Sequence, residues 1–131
     1  MTKLTAKLFS LIEYIASRGG RGILPNELVK ALGINQATCI RILKELVQLG
    51  YLEQLSRQHG YAIGPMAGWY GRAARYKKEL LAVAEPQVEA LARREKQSVL
   101  VAALHEGRRY ILCHHNFNPA VKPEVDSPWY E

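Results

Sequence analysis

Polar side chains of the kinds that bind nucleic-acid bases and phosphates lie on one side of a predicted helix over residues 36–49. They are Gln36, Thr38, Arg41, Lys44, Glu45 and Gln48. Amide, hydroxyl and guanidinium groups in the first turns of a helix can reach base edges in the major groove of DNA and the adjacent phosphates. The pattern predicts a recognition helix. The alternative is a solvated polar face on an ordinary helical hairpin.

Two helices joined by a turn at Gly33 are predicted for residues 24–50, and they position these side chains. Asn35 stands where the second helix needs an N-cap, because its side-chain oxygen can accept the N–H of Ala37 or Thr38. The opposite side of the second helix is apolar and consists of Cys39, Ile40, Leu43, Leu46 and Val47. This stripe needs a core, so the polar side faces outward.

A small hairpin completes the first predicted unit. Residues 3–18 form an amphipathic helix ahead of the other two, and residues 51–55 and 61–63 have the composition of short strands. The polar turn between the strands, residues 56–60, is the tip of a wing. Three helices followed by a hairpin predict a winged helix-turn-helix over residues 1–65.

The candidate DNA contacts follow from this architecture. In the helix-turn-helix they are Asn35, Gln36, Ala37, Thr38, Arg41 and Lys44, and in the wing they are Arg57, Gln58, His59 and Tyr61. Arg57 is placed to contact the backbone or the minor groove beside a helix in the major groove. His59 is interpreted as a polar turn residue rather than as a pH-sensitive contact.

A linker helix is predicted for residues 66–85, with apolar residues on one side and basic residues on the other. We expect it to dimerise the protein, because a two-fold dimer lets two recognition helices reach successive major grooves. The alternative is that its apolar stripe packs on its own domain. Pro86 is expected to break or kink this helix.

The last predicted segment, residues 86–131, is a short αβ appendage. A second helix continues to about Lys96, and a hairpin pairs residues 98–104 with residues 109–114. Residues 116–131 contain three prolines and form an irregular tail, whose Trp129 and Tyr130 are expected to dock on this molecule or a neighbour. The predicted fold class is therefore mainly α with small β: a winged helix-turn-helix, a linker helix and this appendage.

Composition limits the partners. The formal net charge is +6 and the isoelectric point is about 9.5, which favours an anionic partner such as double-stranded DNA. No apolar run approaches the ~20 residues of a membrane span and no secretory signal is visible, so we expect a cytoplasmic protein without a membrane partner. Cys39 and Cys113 lie far apart inside predicted regular elements, which predicts reduced thiols and no disulfide.

Other chemistries have less support in the sequence. It contains no Gly-x-Ser-x-Gly elbow and no phosphate-binding loop, so we expect no enzyme, no catalytic residue and no cofactor. Cys113 and His115 share one side of a predicted strand and His105 lies across the hairpin, which makes a metal-responsive regulator one alternative. The competing interpretation is a buried cysteine beside exposed histidines, with no metal site. A winged helix used only as a protein-interaction adaptor is a further alternative.

With these residues in view, the chain resembles the IclR family of bacterial transcription regulators from about Leu8 to Ile111. The resemblance rests on the order and spacing of Ala31-Leu32-Gly33, Ala37 to Leu43, Leu49-Gly50-Tyr51-Leu52, Tyr61 to Pro65, Ala84-Glu85-Pro86 and the Val99 to Ile111 hairpin. It implies a DNA-binding repressor or activator that dimerises through its winged helix domain and linker helix. By position it gives the recognition roles to Gln36, Ala37, Thr38 and Arg41.

The chain departs from this family in its length. Members carry a complete effector domain of well over a hundred residues, whose later part shapes a small-molecule pocket, whereas this chain stops just after that domain begins. We therefore expect no family-type ligand pocket, and the truncated segment gives no reason to expect a small-molecule effector. The chain is then either a shortened form of such a regulator or a regulator with a different input.

Overall fold

The computed structural model describes residues 2–122 and 129–130. The helices are α1 (Lys3–Ala16), α2 (Pro25–Leu32), α3 (Gln36–Gln48), α4 (Met66–Ala73) and α5 (Lys78–Glu95), with a 3-10 turn at Gly19–Arg21. The strands are β1 (Leu52–Gln54), β2 (Tyr61–Ile63), β3 (Ser98–His105), β4 (Arg108–Asn116) and β5 (Trp129–Tyr130). The chain forms two compact units, Met1–Ala73 and Ala74–Glu131.

The first unit is built around one hydrophobic core. Its fully buried side chains come from the three helices α1, α2 and α3, from β1 and from the loop before α2: Leu11, Ile15, Ile23, Leu28, Cys39, Leu43 and Leu52. The apolar spacing of α1 and α3 thus has its predicted effect, because both helices turn their stripes toward this core.

Local signals set the turn between α2 and α3 as predicted. Gly33 has a φ of 64°, a left-handed conformation that glycine adopts without a steric cost, and its N–H donates to the carbonyl oxygen of Val29 at 2.9 Å. The side-chain oxygen of Asn35 accepts the N–H of Thr38 at 3.2 Å, which confirms the N-cap of α3.

The buried stripe of α3 differs in some of its residues from the predicted stripe. Its buried residues are Cys39, Ile42, Leu43 and Leu46, whereas Ile40 and Val47 are only partly buried. Ile42 belongs to the same i, i+3, i+4, i+7 series as the other three, so the stripe is centred slightly to one side of the predicted line.

The wing is a short antiparallel hairpin that is tied to the helical part of its unit. β1 pairs with β2 in the register Leu52 to Ile63, and Ile23, two residues before α2, forms a bridge with Tyr61. Gly60 has a φ of 77°, and a Cβ there would overlap the carbonyl oxygen of Ile23. Only glycine allows this close approach of the two backbones.

The second unit is a helix packed on a small antiparallel sheet. α5 lies against β3 and β4, and the sheet order is β3-β4-β5. The predicted β3–β4 hairpin is confirmed, with a bulge where Val101 pairs with Cys113 and the next residue, Ala102, pairs with Ile111.

The predicted break at Pro86 is wrong, and the predicted linker helix over residues 66–85 is not continuous. Pro86 does not end a helix, because it lies inside α5, which runs on to Glu95. Residues such as Ala84 and Val88 on either side of it are partly buried, and this packing keeps the helix continuous although Pro86 cannot donate an N–H. The helix breaks instead at residues 74–77, where no side chain is buried.

The tail also contains structure that the sequence pattern does not predict. Trp129 pairs with Tyr110 and Tyr130 with Arg109, so β5 adds a strand to β4. The backbone of this pair therefore docks on this molecule, while residues 123–128 of the predicted irregular tail lie outside the described residues. Among the described residues, every helix is too short or too polar to span a bilayer.

Candidate nucleic-acid interface

The outer face of α3 carries half of the predicted contacts. Gln36, Ala37, Arg41 and Lys44 are exposed, and Thr38 is half-buried. The 13 residues of α3 make a rod about 20 Å long, and a helix of ordinary diameter fits the major groove. Because the opposite face is fixed in the core, these side chains project together from one rigid surface.

The positive groups of this face are available for an anionic partner. Within the described part of the chain, no acidic side chain forms an ion pair with Arg41 or Lys44, and none forms one with Arg57 of the wing. An arginine whose guanidinium is not paired with a carboxylate of the same chain can donate its N–H groups to a base or a phosphate.

Asn35 has a structural role at the start of this face. Its side-chain oxygen accepts the N–H of Thr38, and its amide NH₂ group is left as a donor for DNA. The cap also orients the first turn of α3, which carries Gln36 and Ala37.

The tip of the wing is a closed turn. The carbonyl oxygen of Ser56 accepts the N–H groups of His59 at 3.1 Å and Gly60 at 2.9 Å, and the Ser56 hydroxyl lies 2.7 Å from the His59 Nδ1. His59 is thus a member of the turn's own hydrogen-bond network. Arg57 and Gln58 are the exposed residues at the centre of the turn.

Tyr61 is a correction to the predicted set. Only 6% of its surface is exposed, and its side chain belongs to the hydrophobic core beneath the wing. It follows the wing tip directly in sequence, but its side chain is buried in β2. Its ring therefore packs in the core at the base of the wing, and this burial does not favour the predicted contact with DNA.

An apolar groove lies on a different side of the first unit. It has a volume of about 560 Å³ and is lined by Leu8, Phe9, Ile12, Ala16, Leu46, Leu49, Tyr51, Ile63, Ala67 and Tyr70. Several of these side chains are unusually open for large apolar residues: Phe9 is 54% exposed and Leu49 is 64% exposed. The spacing of apolar residues does not predict this surface, because Phe9 and Leu49 lie beside the buried stripes of α1 and α3.

The polar rim of the groove is formed by two tyrosines. The hydroxyl groups of Tyr51 and Tyr70 are 2.8 Å apart, and their ring centroids are 5.9 Å apart. The hydrogen bond with Tyr70, followed by desolvation, raises the pKa of Tyr51 above its usual value.

The hairpin of the second unit does not assemble the metal ligands that the sequence suggested as an alternative. His105 pairs with Arg108 at the turn end of the hairpin, whereas Cys113 pairs with Val101 farther along it. His115 lies 3.3 Å from a carboxylate oxygen of Glu85. Within residues 2–122 and 129–130, no three potential ligands come together around one point.

The chemistry of Cys113 is also unfavourable for metal binding. Burial, followed by the nearby charge of Glu85, raises the pKa of its thiol. Because the thiolate is the metal-binding form, these surroundings oppose coordination. The other cysteine, Cys39, is fully buried in the core of the first unit, and burial raises its pKa as well.

Comparison with known proteins identifies this arrangement of elements. Residues 4–60 match the model of the MarR family. A solved IclR transcriptional regulator from Alicyclobacillus acidocaldarius is 21% identical, with a TM-score of 0.67, over 99% of this chain and 53% of its own. An IclR homolog from Microbacterium hydrocarbonoxydans, complexed with 4-hydroxybenzoate, is 18% identical, with a TM-score of 0.69. The match covers 98% of this chain and 53% of that homolog. HmgR from Pseudomonas aeruginosa is 16% identical, with a TM-score of 0.64, and the match covers 97% of this chain and 54% of HmgR.

These matches confirm the predicted winged helix fold and the predicted resemblance to IclR regulators at the level of the fold. The MarR match ends at residue 60, so it covers the three helices, β1 and the wing tip and stops before β2. The chain spans about half the length of the solved structures it resembles. No curated protein matches the sequence.

Proposed function

We propose that this chain is a sequence-specific DNA-binding transcriptional regulator that recognises double-stranded operator DNA. The observation that carries the proposal is the division of α3 into two faces. One face is locked into the core through Cys39 and Leu43, and the other presents Gln36 and Arg41 to solvent. A rigid helix with exposed forked donors matches the requirements of base reading in the major groove.

Two exposed arginines of the first unit, Arg41 and Arg57, have different roles in this proposal. Arg41 projects from the second turn of α3, where a bidentate contact to a guanine edge would distinguish one base pair from another. Arg57 projects from the wing tip, where a contact to phosphate would add affinity without reading the sequence. Gln36, Ala37 and Thr38 of the first turn complete the reading surface.

The proposed active form is a homodimer that uses the apolar groove of the first unit. A second copy of the unit is the occupant that we favour, because it supplies equally exposed apolar side chains, such as Phe9 and Leu49, to fill the groove. A two-fold dimer would place two copies of α3 on half-sites about 34–36 Å apart. The apolar groove would then be buried in the protein that binds DNA.

In this proposal the protein acts in the bacterial cytoplasm by binding, and it carries out no catalysis. The fold similarity to transcription regulators supports this view. Neither alternative from the sequence gains support. The metal-responsive form lacks a ligand cluster in the described residues, and exposed Arg41 and Arg57 are better suited to DNA than to an adaptor surface.

The proposal is tested by fluorescence anisotropy of the purified chain on labelled duplexes across a salt series. One duplex comes from the genomic region upstream of the chain's own gene, and another is a random sequence of equal length. We expect salt-dependent binding to both duplexes and tighter binding to the upstream one. Absence of binding at low salt by a folded protein would refute the proposal.

A further inference from the structure

Three exposed cations lie at the entrance to α5, outside the recognition helix and the wing. They are Arg75, Lys77 and Lys78, and residues 66–78 contain no acidic side chain. Among the described residues, none forms an ion pair or a hydrogen bond with these three side chains. We propose that Arg75, Lys77 and Lys78 form a second DNA-contacting surface that binds the phosphate backbone, an inference that rests on the proposed DNA-binding function.

The backbone gathers these cations on one tight turn. The N–H of Lys78 donates to the carbonyl oxygen of Arg75 at 3.3 Å, and the N–H of Leu81 donates to that of Lys77 at 2.9 Å. Lys77 has a φ of 53°, which is uncommon for a residue with a side chain. The hydrogen bond between Lys78 and Arg75 closes this turn, so all three cationic residues belong to one backbone turn.

An aromatic contact anchors this turn to the hairpin of the same unit. The ring of Tyr76 packs against the ring of His105, with centroids 5.2 Å apart, and His105 in turn packs against Tyr110 at 6.0 Å. Tyr76 sits between Arg75 and Lys77 in sequence. The contact therefore fixes the turn while its flanking cations stay in solvent.

The charges of the neighbouring elements leave this surface basic. The acidic residue closest in sequence is Glu79 in the first turn of α5, and the β3–β4 turn that follows His105 carries Glu106. His105 stands beside Glu106, and β4 begins with Arg108 and Arg109. Three cations thus face solvent at this end of α5, and neither of the two carboxylates is paired with any of them.

Phosphate is the chemical group that this surface suits best. Lysine ammonium groups bind phosphate as point charges, and an arginine adds a forked donor. The turn lacks the asparagine and glutamine side chains that read adenine edges. A contact of this kind raises affinity for all DNA sequences equally and makes binding more sensitive to salt.

The chain offers a matched control for this proposal. Lys96 caps the other end of α5, is exposed and has the same φ of 53° as Lys77. The 18 residues of α5 separate these two lysines by about 27 Å. Lys77→Gln and Lys96→Gln therefore remove the same charge from the same backbone conformation at opposite ends of one helix.

The test is the salt dependence of duplex binding by the full chain, followed by fluorescence anisotropy. Each lost phosphate contact makes the slope of log K against log salt shallower by about 0.9, so the triple variant R75Q/K77Q/K78Q should lose up to about 2.7. At moderate salt its affinity should fall on the order of tenfold, equally for the upstream and random duplexes. Lys96→Gln should behave as the unchanged chain does.

The outcomes separate this inference from the proposed function. If the unchanged chain binds DNA and the triple variant keeps its salt slope, the three cations are merely solvated and the inference is wrong while the proposed function stands. If the unchanged chain binds no duplex, both are wrong. Circular dichroism checks the folding of the triple variant. If the triple variant is unfolded, the single variants Lys77→Gln and Lys78→Gln are measured instead. The inference predicts that each makes the salt slope shallower by about 0.9, and an unchanged slope in both would contradict it.

Discussion

The hydroxyl oxygens of Tyr51 and Tyr70 lie 2.8 Å apart, and this hydrogen bond joins the residue before β1 to α4. Trp69 extends the contact, since its ring centroid is 5.4 Å from that of Tyr70. Both tyrosines also line the apolar groove. The bond therefore fixes α4 at the edge of the surface that we propose as the dimer contact.

The variant Tyr70→Phe should lower the pKa of Tyr51, because the hydrogen bond that favours its neutral form is removed. In the unchanged chain this bond stabilises the fold below the ordinary tyrosine pKa of 10.0, and the stabilisation is lost as the pH rises through the raised value. Nuclear magnetic resonance of ¹³C-labelled tyrosine rings measures the titration. Tyr14→Phe is the control, and an unmoved Tyr51 titration would show that the bond is not formed in solution.

The variant Asn35→Ala should destabilise the first unit by about 1 kcal/mol, within a range of about 0.5–2, because α3 loses its N-cap. Urea unfolding followed by circular dichroism measures the change. Asn26→Ala is the matched control, since Asn26 is an exposed asparagine within α2 rather than before it. Equal stability of the two variants would contradict the capping role.

The variant Leu49→Asp should convert the proposed dimer into monomers, because it places a charge in an apolar groove that the second copy would cover. Sedimentation velocity reports the mass directly. Leu104→Asp serves as the control: Leu104 is 71% exposed, lies on β3 and is not one of the residues that line the groove. A dimer that survives Leu49→Asp would require another interface.

The variant Arg57→Ala should weaken binding to every duplex by a similar factor and make the salt slope shallower by about 0.9. The reason is that a wing-tip arginine on phosphate releases counterions but reads no base. Anisotropy titrations on operator and scrambled duplexes at several salt concentrations measure both effects. A loss confined to one sequence would mean that Arg57 reads bases.

The winged helix itself could be predicted from the sequence, because its signals are local. Gly33 ends α2, Asn35 caps α3, and the apolar spacing of α3 gives a single buried face. Each of these features depends on residues within one or two turns. The pattern therefore sufficed to predict which part of α3 faces solvent.

Features that depend on distant packing could not be predicted in the same way. Pro86 has the local character of a helix breaker, yet packing of α5 on the sheet keeps the helix intact. Tyr61 resembles an exposed wing residue until β2 turns it into the core. The pairing of β5 with β4 joins residues about twenty positions apart and has no local signal.

The central claim, that α3 reads operator DNA, is tested most directly by the discrimination of Arg41→Ala. The measurement is the ratio of affinities for operator and scrambled duplexes, with Lys96→Gln as the charge-matched control. If Arg41 makes a bidentate base contact, its loss should cost about 1–3 kcal/mol of specific binding and reduce the ratio by about tenfold or more. An unchanged ratio, with the variant folded and still bound to DNA, would contradict the assignment of Arg41 as a base-reading residue.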